Sequence, residues 1–325
     1  MGDVAISLAR HFGIVGARIS KEKGCYLYKK DNEVARVQKT YETHKKIRER
    51  YNLLHALYDS GFYQTDRISC HVPFVMIGRE TYAISAHIQG RDLDYNSVDD
   101  MIMAMQSLAK FHKVARAVNM PLMAATTKMP PLGEVFAKDS AFLLKTLRQV
   151  ERSSKLSDFD VMFIKNSAKY IEDGQKSAQV LAATGYHLMY ETAMKNNHLC
   201  HNLLKEEFMP IYKGECYLTN FCDVVIGTQI MDIIALLRRY VRRSNREILP
   251  KQLLEAYDRL LPLPDDASKI VYAGLVHPWQ FVKIAQQYYN KKRGWTPVGI
   301  MSRMNTLVEE QAALDEYVQG LAAAE

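Results

Sequence analysis

The residues best equipped for chemistry lie in three short runs. The first is His201-Asn202-Leu203-Leu204-Lys205-Glu206-Glu207-Phe208, and the second is Tyr217-Leu218-Thr219-Asn220-Phe221-Cys222-Asp223. Carboxylates in such runs could take a proton from a hydroxyl or ligate a hard cation, which prefers oxygen donors. A general base must be held in place tightly, and Glu206 and Glu207 read instead as exposed acids in a loop. The Cys222 thiol is a soft ligand unsuited to Mg²⁺. The third run is Val34-Ala35-Arg36-Val37-Gln38-Lys39. Read as a strand, it puts Gln38 and Lys39 on opposite faces. Ser20-Lys21-Glu22-Lys23-Gly24 has one glycine, too few to argue for a phosphate cradle. His112 and His201 stand alone on apolar backgrounds and read as hydrogen-bonded structural histidines.

These runs need elements to hold them. Two β-rich arms, Cys25–Lys29 and Val34–Lys39, flank the polar turn 30–33 and predict a hairpin. Ile47, Tyr51, Leu54 and Leu57 recur at helical intervals, and Gly61 is a plausible stop, so a helix is expected near 41–60. A second hairpin is expected around Gly78-Arg79. The order is strand, strand, helix, strand, strand. Beyond residue 93 the pattern turns helical. Val98, Met101, Met105, Leu108 and His112 share one face, and Ser97 with Asp100 resembles a capping box. The stretch 120–135 carries prolines and reads as a surface loop. Long helical segments follow, interrupted by a β-like patch in Glu215–Phe221.

Bulk properties narrow the classes. The chain has 325 residues, 48% hydrophobic and 24% charged, enough for one or two packed units. A net charge of +7 is mildly basic. It reads as a solvated basic surface, because no RNA-binding signature, zinc spacing or long basic run accompanies it. The first residues lack the charged start and apolar core of a signal peptide, and Ile6 stands where a myristoylation pattern needs Ser or Thr. No apolar run approaches the ~20 residues of a membrane helix. Synthesis in a cytoplasm is expected, with the five scattered cysteines as reduced thiols. The 19 tyrosines suit packing and protein contact alike.

Several segments resemble the spore-coat protein S (CotS) family, a branch of the aminoglycoside/choline phosphotransferase superfamily. The residues that carry the resemblance are Ile88-Gln89-Gly90-Arg91-Asp92, Leu108-Ala109-Lys110-Phe111-His112, Leu199-Cys200-His201, and Asn220-Phe221 with Asp232 and Leu236-Leu237-Arg238-Arg239. Gln287-Tyr288-Tyr289-Asn290 with Arg293-Gly294-Trp295 completes the set. Together they span roughly residues 20–310. The resemblance implies an α+β, bilobal, protein-kinase-like fold: a small antiparallel-sheet lobe over 1–88 and a larger, mostly helical lobe over 89–325, joined near Ala86–Arg91.

It also implies where catalytic groups should stand. The strand lysine falls best at Gln38; Lys39 would serve only through a one-residue bulge. The base position after His201 is Leu203, and leucine cannot orient a hydroxyl. A nearby asparagine position is filled by Glu207 or Phe208. The metal position is Asn220, neutral and a poorer Mg²⁺ ligand, with Asp223 three residues on. Glu207 and Asp223 are possible substitutes for the missing groups. His201 and Asp232 are expected to be structural. The reading that follows is a pseudokinase without metal or cofactor, serving as a structural component of the spore coat. Its expected partners are other coat proteins, neither membrane nor nucleic acid, met through an exposed Tyr- and Arg-rich surface such as Arg238–Arg243. The alternative is an active small-molecule phosphotransferase using ATP and Mg²⁺ with displaced catalytic residues.

Overall fold

The computed structural model describes residues 2–22, 24–118, 127–290 and 297–322. The chain opens with α1 (Gly2–His11), β1 (Arg18–Glu22), β2 (Cys25–Lys30), β3 (Glu33–Thr40), α2 (His44–Asp59), β4 (Phe74–Ile77), β5 (Glu80–Ala86) and α3 (Val98–Ala117). The five strands form one antiparallel sheet in the order β1-β2-β3-β5-β4. Both expected hairpins are present. The first turns at Asp31 and the second at Gly78, each with positive φ, a conformation Gly and Asp reach more cheaply than bulky residues.

Two elements of this region have no counterpart in the expected order. β1 is fully exposed along its length, so it carries no apolar alternation from which a strand could be read. α1 buries Leu8, and Phe12 just past its end joins it, in a core with Tyr28, Val37 and Ile84 on one face of the sheet. α2 starts at Thr43, whose side chain accepts the Lys46 N–H, and it buries Ile47, Leu53, Leu54 and Leu57. In α3 the Ser97 hydroxyl accepts the Asp100 N–H, but Asp100 does not complete a capping box. Its carboxylate takes the Arg91 guanidinium and the Asp94 N–H instead.

The remaining elements are α4 (Leu132–Glu151), α5 (Asp158–Ala182), α6 (Tyr186–Lys195), β6 (Leu199–Cys200), β7 (Ile211–Tyr212), β8 (Glu215–Cys216), β9 (Val225–Ile226), α7 (Ile230–Arg243), α8 (Pro250–Asp258), α9 (Ala267–Val276), α10 (Trp279–Tyr289) and α11 (Pro297–Ala322). Residues 120–126 of the proline-bearing loop expected at 120–135, like Arg293-Gly294-Trp295, lie outside the described residues. α4 starts at Leu132, inside the expected loop, with Pro131 just before its first turn.

Two compact units emerge, and they follow a different line from a division at residue 88. One comprises 1–127, 197–226 and 256–261; the other comprises 128–196, 227–255 and 262–325. The reason is backbone pairing. Thr65 bridges to Leu218, and Arg91 exchanges hydrogen bonds with Ile211 at 3.2 and 2.8 Å. Segment 197–226 therefore clusters with the N-terminal strands. In the second unit α4 packs on α5 and α5 on α9. Its core gathers Phe159, Phe163, Tyr170 and Phe281. The fold is protein-kinase-like, with a small antiparallel-sheet lobe and a larger, mostly helical lobe.

Candidate functional site

β3 offers its site residues in strict alternation. It pairs with β5 without interruption from Ala35↔Ala86 to Thr40↔Thr81. No bulge intervenes, so Gln38 and Lys39 stay on opposite faces. Both are exposed. Lys39 is engaged by Glu80 and lies 5.4 Å from the Tyr41 ring centroid. That ion pair holds the Lys39 ammonium above its usual range, chiefly through the Glu80 hydrogen bond. Arg36, two residues back on the Gln38 face, is half-buried, and its Nε is buried without a partner among the described residues.

His201 acts as a latch. Its ring is fully buried. Nε2–H donates to the Thr219 carbonyl at 2.9 Å, and Nδ1 accepts the Leu203 N–H at 3.3 Å. The ring also stands edge-on to Phe221 at 4.6 Å. One buried imidazole thereby ties the two polar runs together. Leu203 is half-buried. Glu206 receives the Tyr95 hydroxyl at 3.4 Å, and the exposed Glu207 lies 3.6 Å from Lys205. The structure keeps these acids in a short 3₁₀ turn with partners of their own.

Asn220 sits in left-handed conformation, φ 62° and ψ 59°, a region asparagine tolerates better than most residues. Its N–H donates to Asp66 Oδ2 at 3.2 Å. Asp66 is buried, and its Oδ1 has no partner among the described residues. Burial pushes this carboxyl up; the Asn220 N–H and the charges of Arg50 and Arg36 oppose that rise. The turn closes through Asn202, itself at φ 63°, whose amide donates to the Asp223 carbonyl at 3.2 Å.

Beside the turn is a cavity of about 200 Å³, lined by Glu42, Lys46, Glu49, Arg50, Asn202, Cys222 and Asp223 among others. Arg50 reaches back to Glu42 with two short hydrogen bonds, 2.8 and 2.7 Å. Burial, then the neighbouring Asp223, raises the Cys222 thiol, which is a poor nucleophile in that state. Among the described residues no three His, Cys, Asp or Glu side chains converge as a metal cluster would require.

Below these runs, the hinge motif has a physical basis. A Cβ at Gly90 would fall 2.5 Å from the Ile211 carbonyl oxygen, so only glycine admits this approach. Arg91 and the buried Asp100 form a two-pronged pair. Burial favours neutral Asp100, but bonds from Arg91 and the Asp94 N–H hold its carboxyl below the usual range.

In the second unit, Asp232 is buried in the first turn of α7. Of the Arg238–Arg243 run expected as an exposed contact surface, Arg238 departs: its guanidinium lies over the Trp279 ring and lines a cavity. Arg242 and Arg243 are exposed.

Arg36 and Asp66 do not stand out in the sequence. Arg36 was nonetheless legible: the alternation that places Gln38 on one face places Arg36 beside it. Asp66 lies in an irregular segment with no motif, and only the tertiary approach of residue 220 gives it a role.

The comparisons with known proteins agree with this fold. The family described as "Spore coat putative kinase YutH" matches residues 6–321. Spore coat protein S of Bacillus subtilis (strain 168) is 19% identical over 247 residues, 74% of this chain and 70% of that protein. An aminoglycoside phosphotransferase from Alicyclobacillus acidocaldarius superposes with TM-score 0.79 at 15% identity, covering 95% of this chain and 92% of its own. A microcompartment-associated aminopropanol kinase gives TM-score 0.60 at 12% identity, each chain covered to 98%. With the match extending over nearly the whole chain, this protein belongs to the spore coat putative kinase YutH family.

Proposed function

We propose that this protein is a catalytically silent kinase-like scaffold of the spore coat, working through contacts with other coat proteins. On the family resemblance we place the lobe boundary at residues 88/89, which falls inside the first compact unit. The observation that carries the reading is the state of the 220 turn. Asn220, at the metal position implied by the family resemblance, has a neutral side chain, a poorer ligand for a hard cation than a carboxylate. The base position holds Leu203. Mg²⁺ with a nucleotide fits this donor set poorly: of the acids lining the cavity, Glu42 is engaged by Arg50, Glu49 lies 3.9 Å from Lys45, and among the described residues no three converge with Asp223 as a metal site would require. Coat location rests on the family and on the relative named as a coat protein. Among the described residues no helix is long and apolar enough to cross a membrane.

A second reading has one observation in its favour. Arg36 offers a half-buried cation on the Gln38 face of β3, and Asp223 an acid beside the cavity. These are the groups an active phosphotransferase with displaced residues would use. Titration with ATP, with and without Mg²⁺, separates the two. The scaffold reading expects no metal-dependent rise in melting temperature and no phosphorylation of small hydroxyl compounds. A metal-dependent rise abolished by Asp223→Ala would overturn it. Absence of the protein from coat extracts of purified spores would remove the coat assignment.

A further inference from the structure

The second compact unit holds a cavity of about 60 Å³ between α7, the start of α10 and α11. In this measure a water needs roughly 10–15 Å³, so there is room for roughly four to six waters and far too little for a nucleotide. Three arginines line it: Arg238, Arg242 and Arg246. The first two are one turn apart on α7, and the third lies just past the helix end. The i, i+4 spacing of Arg238 and Arg242 sets those two on one side of α7. Trp279 and Leu307 contribute apolar wall, and Glu310 is the acid in the lining.

The partners of these cations are unequal. Arg242 lies 3.7 Å from Glu310, and Arg246 donates to the Val241 carbonyl at 3.2 Å. Arg238 has neither a hydrogen bond nor a carboxylate within ion-pair distance among the described residues; it stacks on Trp279 at 5.0 Å. Arg238 is half-buried, and a half-buried cation without a counter-ion is poorly compensated. Burial, with Arg242 and Arg239 as like charges, pushes the guanidinium down to about 9, so it remains charged at neutral pH. Three cations against one acid leave the lining positive.

We propose that this pocket binds a small oxyanion, a carboxylate or phosphate group, carried on an apolar body. Arg238 supplies paired N–H donors in the planar fork that suits such groups. Trp279 and Leu307 take the apolar part. Every lining residue belongs to the second unit, so the site shares no residue with the cavity of about 200 Å³ beside the 220 turn.

The test uses the full chain at low ionic strength, titrated with phenyl phosphate, benzoate, inorganic phosphate and neutral benzyl alcohol. Thermal shift, calorimetry and tryptophan fluorescence are the readouts. Saturable binding of an aromatic anion is expected, with a rise in melting temperature and no matching effect of benzyl alcohol. Arg238→Met keeps the packing on Trp279 and removes the charge, and it should weaken binding about tenfold or more. Tighter binding of phenyl phosphate than of benzoate supports a phosphate monoester, and the reverse order supports a carboxylate. Several results would overturn the proposal: no saturable binding to millimolar concentration, equal affinity in Arg238→Met, benzyl alcohol binding as tightly as the anions, or inorganic phosphate matching phenyl phosphate. Should Arg238→Met fail to fold, the exposed Arg242 replaces it. Arg242→Gln should weaken binding several-fold, and unchanged affinity would sink the idea.

Discussion

Asp66 carries two roles that substitution can separate. Its carboxylate accepts the Asn220 N–H at 3.2 Å, and it also places a charge in a buried site. Asp66→Asn keeps an acceptor oxygen and removes the charge. Asp66→Leu removes both and leaves the Asn220 N–H without its partner, which typically costs about 1–3 kcal/mol. At neutral pH, Asp66→Leu should destabilise by about 2 kcal/mol, while Asp66→Asn should stay within about 1 kcal/mol of the parent or exceed it. The pH dependence follows from the direction in which burial moves the carboxyl, which is above its unfolded value. The folded state therefore binds the proton more tightly than the unfolded chain. The stabilisation from that proton is fully present below the unfolded value, near pH 3.9, and is lost as pH rises through the folded value. A tenfold difference in proton affinity between the two states corresponds to about 1.4 kcal/mol. The parent should thus gain on Asp66→Asn as pH falls from about 7 toward about 4. Urea denaturation across that range measures both effects. If Asp66→Asn cost as much as Asp66→Leu and the gap widened toward neutral pH, the carboxylate would be held by Arg36 and Arg50 as an ion pair, and the desolvation argument would fail.

Other outcomes follow from the same geometry. Gly90→Ala places a Cβ against the backbone of Ile211, and it should cost about 2–3 kcal/mol in chemical denaturation. Arg91→Met strips the buried Asp100 of its charged partner. Arg91 itself is exposed, so solvent screens part of the effect, and a measurable loss of stability is expected at neutral pH. Asp100 is held below its ordinary value, so its contribution is present above about pH 4 and fades as pH falls through the folded value; the mutational difference should shrink in acid. A difference that stayed constant to low pH would assign the loss to packing. Leu203→Asp alone should yield no phosphoryl transfer in a radiolabel assay, because the 220 turn still offers a neutral asparagine. Adding Asn220→Asp sets a second carboxylate close to Asp66, and like-charge repulsion should lower the melting temperature before any activity appears.

What could be read from the sequence divides by physical range. The β2–β3 hairpin, the face of α2 and the α3 N-cap at Ser97 are local, set by alternation, helical spacing or a single side-chain bond, and each was legible in a window of a dozen residues. β1 was not legible, because an exposed edge strand needs no apolar pattern. The site shows the same division more sharply. The apolar background of His201 pointed to a hydrogen-bonded ring, but not to the Thr219 carbonyl and Leu203 N–H as its partners, since these bonds depend on two runs meeting. Asp66 is the extreme case. It stands in an irregular segment, it matches no motif, and its role exists only because residue 220 arrives from 154 positions away. At β3 the alternation sets Arg36 on the same face as Gln38, the position the resemblance implies for the family's lysine. A guanidinium can meet phosphate as well as an ammonium can, and its fixed charge makes Arg36 the first residue to substitute if a nucleotide is ever found to bind. Arg36→Met should then abolish that binding, whereas Lys39→Met, which removes a charge already engaged by Glu80, should leave it unchanged.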